Sequence, residues 1–217
     1  MRTLWTIIGL SWLIYSTPAI ASDNWRYLPD QSGLPQGGVI LRYPDVMETT
    51  ADRLSNVLSD HGWSVLLVPI PDTTSPQSEP VPASQLVRYM TEIKGQFNLV
   101  VLSFGDTWDK QLNLVDLDPD DDQQNPIQGI VLVDVAGLVN APPELPLLDI
   151  NTLALTQQSY VQRRKNARKN QLDKQQGINL KHYSTRARHN GENLLDRRIR
   201  GWLHHNVKGM EIIPDEQ

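Results

Sequence analysis

The chain has 217 residues, 39% of them hydrophobic and 21% charged, with a formal net charge of −5 and no cysteine. That length holds one α/β domain with a well-buried core, and that composition fits neither a membrane bundle nor a disordered tail. The absence of thiols excludes disulfides, thiolate metal sites and cysteine nucleophiles.

The first element is a leader. Residues 1–21 carry Arg2, an apolar run from Leu4 to Tyr15, a helix-breaking Pro18 and small residues ending at Ala21. This is the order of a secretory signal peptide, and the run is shorter than the roughly 20 residues that span a bilayer. Cleavage after Ala21 is therefore expected in preference to a retained anchor, giving an exported, periplasmic chain. Residues 22–36 read as an N-terminal extension, 37–207 as the folded domain and 208–217 as a tail.

Within the domain, "GGVILRY" (37–43) is an apolar run entered through glycines and predicts a buried strand. Residues 47–62 follow as an amphipathic helix, with Leu54, Val57 and Leu58 on one face and Gly62 as the stop. "WSVLLVPIPD" (63–72) is a second buried strand, and the Pro-rich residues 73–82 are a loop. Residues 83–96 form a helix with Leu86, Met90 and Ile93 at helical spacing. "FNLVVLSF" (97–104), "IQGIVLVDVA" (127–136) and "LPLLDIN" (145–151) are three further apolar strands, with a short helix expected over 107–116. A basic helix over 157–176 and an alternating, edge-like strand over 178–184 come next. An amphipathic helix over 191–207 closes the domain, with Leu194, Leu195, Ile199, Trp202 and Leu203 on its apolar face.

Continuous apolar strands separated by helices indicate a mostly parallel sheet covered on both faces, a three-layer α/β/α domain. Charge is unevenly spread along it. Residues 22–157 hold 6 basic and 19 acidic side chains, whereas 158–208 hold 13 basic and 3 acidic ones. The split reads as one folded body with a basic face opposite an acidic one.

This order, with the stretches "GGVILRYPD", "HGWSVLLVPIPD", "NLVVLSFGD", "GIVLVDVAG", "LPLLDI" and "LLDRRIRGWL", resembles the α/β-hydrolase superfamily. More narrowly it resembles a family of uncharacterised exported bacterial α/β-hydrolase-like proteins. The resemblance covers residues 37–207 and implies three stations for chemistry.

The first station is the loop after the opening strand, where backbone N–H groups hold an oxyanion. Here it reads "RYPD" (42–45); Pro44 removes one donor and leaves the N–H groups of Asp45 and Val46.

The second station is the nucleophile elbow, a nucleophile at the tip of a strained turn flanked by small residues. Laid on "SFGDT" (103–107), the pattern puts Ser103 at the first small position and Gly105 at the tip, where there is no side chain to attack. A shifted register offers Ser103 as nucleophile but places Val101 where a small residue belongs. Another offers Asp106 between bulky residues. The expectation is a chemically silent elbow.

The third station, after the last strand, holds the histidine that takes the nucleophile's proton, and His189 stands there. Asp149 and Asp134 are the carboxylates that could orient it. Asp149 lies inside an apolar strand, where an ionised carboxylate needs a partner, and an arginine or backbone amides would satisfy it without any catalytic role.

The acidic stretch 115–125 lacks the glycine and distal glutamate of a calcium loop and reads as solvated. Adjacent His204 and His205 project differently and make a poor metal pair, and His61 suits a helix C-terminus. Arg163, Arg164, Lys165, Arg168 and Lys169 recur on the basic helix and form a solvated face or an anion-binding one, for an envelope lipid, a glycan or an acidic protein. Nucleic acid is not expected, and no metal or cofactor is implied. The resulting expectation is an exported α/β-hydrolase-like protein acting by binding or scaffolding at the cell envelope. The alternative is a serine ester or acyl hydrolase using Ser103, His189 and Asp149.

Overall fold

The structure is a computed structural model that describes residues 24–70, 81–105, 126–135, 145–152, 166, 180–184 (backbone) and 194–207. The leader, the short helix over 107–116, the acidic stretch, the basic helix, Asp106 and His189 lie outside the described residues.

The strands are β1 (Arg26–Leu28), β2 (Gly37–Pro44), β3 (Trp63–Ile70), β4 (Leu99–Phe104), β5 (Ile127–Val133), β6 (Leu147–Asn151) and β7 (Leu180–Ser184). They form one sheet in the order β1-β3-β2-β4-β5-β6-β7. Every pairing is parallel except that of β1 with β3. The helices are α1 (Glu48–Ser59), entered through a 3-10 turn at Asp45–Met47, α2 (Ala83–Arg88), which widens into a π turn at Tyr89–Ile93, and α3 (Leu194–Asn206).

The continuous apolar runs have their physical explanation in this layering. Alternate residues of a strand point to opposite faces, and both faces are covered. Val39, Leu41, Val100, Leu102, Val131, Val133, Leu148 and Ile150 pack with Leu54 and Leu58 of α1 and with Ile199, Trp202 and Leu203 of α3. Ile40, Leu66, Val101, Ile130, Leu132 and Leu147 pack with Leu86 of α2 and Met90 of the π turn. Each such side chain taken fully from water contributes about 1.5–3 kcal/mol. The two helical layers fix the sheet between them, and with it the ends of its strands.

One close approach sets the position of α3. A Cβ on Gly129 of β5 would come within 2.8 Å of Trp202 Cη2, so only glycine lets the indole lie against that strand. Arg53 Nε of α1 donates to Asp196 Oδ2 of α3 at 3.1 Å and holds the two helices together. Arg200 of α3 contacts His61 Nε2 at 2.7 Å, while His61 Nδ1 lies 2.7 Å from the Val57 carbonyl, donating a proton to the last turn of α1.

Two differences from the sequence reading have simple causes. Residues 22–36 contain β1, which at three residues is too short to show a period and is held by antiparallel pairing with β3. The helix expected over 83–96 ends as a π turn, in which the Lys94 N–H donates to the Tyr89 carbonyl at 3.1 Å, five residues back.

Candidate functional site

The connection from β2 runs through α1 to β3 on one side, and the connection from β3 runs through α2 back across β2 to β4 on the other. The side on which successive strands are added therefore switches between the parallel neighbours β2 and β4. In an open parallel sheet the crevice outside the carboxyl ends of two such strands is the natural ligand site. Here those ends are Pro44 and Phe104–Gly105.

β4 ends at Phe104, and Gly105 follows it. Gly105 has φ +61, the left-handed conformation that costs an ordinary residue about 1–2 kcal/mol. A Cβ built on it would meet nothing closer than Pro44 Cγ at 3.8 Å. Among the described residues, Gly105 thus has only the end of β2 beside it. Its φ is compatible with the register that puts Gly105 at the tip of an elbow.

Ser103 lies two residues earlier, inside β4, in register with Arg42 of β2 and Leu132 of β5. It is 0% exposed, and its Oγ has no hydrogen-bond partner among the described residues. A nucleophile has to meet its substrate and its base; this hydroxyl is closed off from solvent.

Asp149 of β6 is next in the same row, paired with Leu132. Strand alternation puts Arg42, Ser103 and Asp149 on the α2 face, as Ile40, Val101 and Leu147 are. Arg42 and Asp149 are both buried, and neither is without an interaction partner. A buried charge is tolerated only when paired. The row Arg42–Ser103–Leu132–Asp149 is therefore a polar floor one layer beneath the crevice. Arg42 was not singled out from the sequence; a cation inside the apolar run "GGVILRY" was the signal that could have found it. Asp149 next pairs with His182 of β7 in the backbone register.

Asp134, the other candidate carboxylate, stands just beyond β5 with φ +57. Its Oδ1 accepts from the Thr152 N–H at 2.7 Å and its Oδ2 accepts from the Thr152 hydroxyl. Its own N–H donates to the Ile150 carbonyl at 2.9 Å. Asp134 is a clasp between the ends of β5 and β6, and its strained backbone is held by those three bonds.

The expected oxyanion station is in place as backbone. Asp45 and Val46 follow Pro44 directly in the 3-10 turn that opens α1, where N–H groups have no carbonyl one turn back to bond. Val46 is 88% exposed. Beneath them Tyr43 is buried, and its phenol pKa is raised above 10.0, first by burial, with Arg26 opposing and Glu48, Asp52 and Asp45 adding to the rise. The structure therefore places Asp45 and Val46 directly after Pro44, the residue beside Gly105, and buries Ser103 in β4 and Asp149 two strands away in β6.

A scan of protein-family models and a search of curated proteins gave no match. Solved structures do match. MenH from S. aureus superposes with a TM-score of 0.52 at 11% identity over 85% of this chain and 99% of that one. Acyl-protein thioesterase 2 from Zea mays superposes with a TM-score of 0.53 at 11% identity, over 84% and 98%. At that identity the likeness is one of fold. The layering, the sheet order and these neighbours agree: the chain has an α/β fold with a mostly parallel sheet, shared with these two structures.

Proposed function

We propose that this chain is an exported, periplasmic α/β-hydrolase-like protein whose elbow has lost its nucleophile, and that it acts at the cell envelope by binding or scaffolding rather than by turnover. The observation that carries the reading is Gly105, a residue without a side chain at the tip of the turn with φ +61. The signal-peptide pattern of residues 1–21 supports export. The "HGWSVLLVPIPD" and "LLDRRIRGWL" stretches support membership of the uncharacterised exported family. The basic residues Arg163, Arg164, Lys165, Arg168 and Lys169 supply a face for an anionic envelope lipid, glycan or acidic protein, and binding there would weaken as salt rises.

A second reading is favoured by the solved structures that share the fold, one of which is named as an acyl-protein thioesterase. In it Ser103 Oγ attacks an ester or acyl carbonyl, His189 takes the Ser103 proton and returns it to the leaving group, and Asp149 orients His189. The N–H groups of Asp45 and Val46 hold the oxyanion, and water then releases the acyl group. This reading needs the end of β4 to open, since Ser103 is fully covered.

Fluorophosphonate labelling of the purified protein beside Ser103→Ala separates the two. The first reading expects no labelling of either folded protein. Labelling of the wild type that disappears in Ser103→Ala establishes the hydrolase instead.

A further inference from the structure

Away from the crevice, two aromatic rings from distant stretches meet one cation, and a third ring packs edge to face against one of them. Trp25 and Tyr27 come from the β1 segment and Tyr89 from the start of the π turn. The Trp25 and Tyr89 rings meet edge to face, with centroids 5.5 Å apart and planes at 78°. The Lys94 ammonium sits 4.7 Å from the Tyr27 centroid and 5.2 Å from that of Tyr89. Gln96 Nε2 donates to the Tyr27 hydroxyl at 3.2 Å and fixes that ring.

The π turn makes the arrangement. In an α-helix a side chain lies over residues three and four away. Here the hydrogen bond from the Lys94 N–H reaches back five residues to the Tyr89 carbonyl, which sets Lys94 above Tyr89. Such turns concentrate at functional sites. All three rings are half-buried and pack against the core, so part of each stays in reach of solvent.

Aromatic faces attract cations through their quadrupole, and they favour weakly hydrated ones. A primary ammonium is compact and strongly hydrated, so Lys94 gives up hydration to sit over two rings. A quaternary ammonium has no N–H to desolvate and presents methyl groups to every ring it touches. Lys94, on a flexible four-carbon stem, is a removable occupant. We propose that Trp25, Tyr27 and Tyr89 form a binding box for a quaternary ammonium cation of the choline type, which Lys94 fills when the ligand is absent.

The test is titration with choline chloride, followed by the NMR shifts of the aromatic side chains, with ammonium chloride at equal ionic strength as control. Wild type is expected to bind choline saturably, Lys94→Ala about tenfold more tightly because the internal competitor is gone, and Tyr27→Leu/Tyr89→Leu not at all. Ammonium should produce no saturable shift. Sedimentation with phosphatidylcholine vesicles, against phosphatidylglycerol vesicles, identifies the source: capture by the former means a lipid headgroup, and choline binding without capture means a soluble ligand. No saturable choline shift in Lys94→Ala overturns the proposal, as does binding that survives the double substitution. Should the double variant fail to fold, the comparison of Lys94→Ala with wild type decides, since affinity that does not rise in Lys94→Ala removes Lys94 from the box.

Discussion

Pro44 and Gly105 face each other across the ends of the two strands at which the winding of the sheet switches sides. A methyl group added to Gly105 would stand 3.8 Å from Pro44 Cγ, ordinary van der Waals contact. Among the described residues space is therefore no obstacle at Gly105, and only its left-handed backbone is. Gly105→Ala and Gly105→Ser are each expected to fold and to lose about 1–2 kcal/mol, measured by urea denaturation. A loss of several kcal/mol would mean that the turn is more closely covered than this geometry describes.

Gly129 gives the opposite expectation. Its φ needs no glycine, but a Cβ would strike the Trp202 ring at 2.8 Å. Gly129→Ala should shift α3 on the sheet and cost about 1–3 kcal/mol, the range for overpacking a filled core. A shift in Trp fluorescence should accompany the change, and an unaltered midpoint with unaltered fluorescence would refute it.

Two buried serines should respond differently to alanine. Ser103 Oγ has no hydrogen-bond partner among the described residues, so Ser103→Ala removes a desolvated hydroxyl and leaves stability unchanged or slightly higher. Ser59 Oγ donates to the Pro29 carbonyl at 2.6 Å, so Ser59→Ala should cost about 1 kcal/mol. Thermal melts of the pair check this, and a large loss in Ser103→Ala would point to a hydroxyl partner.

Helices α1 and α3 should come apart most easily at their ion pair. The Asp196 side chain is 4% exposed and that of Arg53 42%. Arg53→Met leaves the carboxylate covered without its guanidinium, whereas Asp196→Asn leaves the cation free to reach solvent. The first should therefore cost more, about 1–3 kcal/mol. Urea midpoints in the reverse order would contradict this asymmetry.

The phenol of Tyr43 links stability to alkaline pH. Burial raises its pKa above the ordinary 10.0. Between those two values the unfolded chain has released its proton and the folded chain still holds it. The unfolded state then binds fewer protons, so stability is fully present below pH 10.0 and falls as pH rises through the folded value. Tyr43→Phe should flatten that decline, read from melting temperatures across the alkaline range. An identical decline in the variant would assign it to other groups.

Much of this architecture could be read in the sequence because apolar runs such as "NLVVLSF" and "GIVLV" are long enough to mark strands covered on both faces. The closing helix was legible for the same reason, since Ile199, Trp202 and Leu203 recur at its period and are all buried. β1 was not, because three residues carry no period and its place is set by pairing with β3. The crevice was legible only as a set of registers. The sequence favoured the register with Gly105 at the tip over those with Ser103 or Asp106, and the φ of Gly105 is compatible with it. The π turn was invisible because Leu86, Met90 and Ile93 fit an ordinary helix equally well, and the aromatic box depends on it.

The antiparallel run of β1 has a consequence for orientation. Arg26 lies opposite Leu67 and Leu28 opposite Val65, so the polypeptide comes into the sheet from the side on which β2, β3 and β4 finish. Anything joined ahead of Trp25 is thus attached at the crevice side of the molecule. Kept on the chain as a membrane tether, the N-terminal segment would turn the Gly105 turn towards the lipid surface. Removed, it would leave that approach open to solvent.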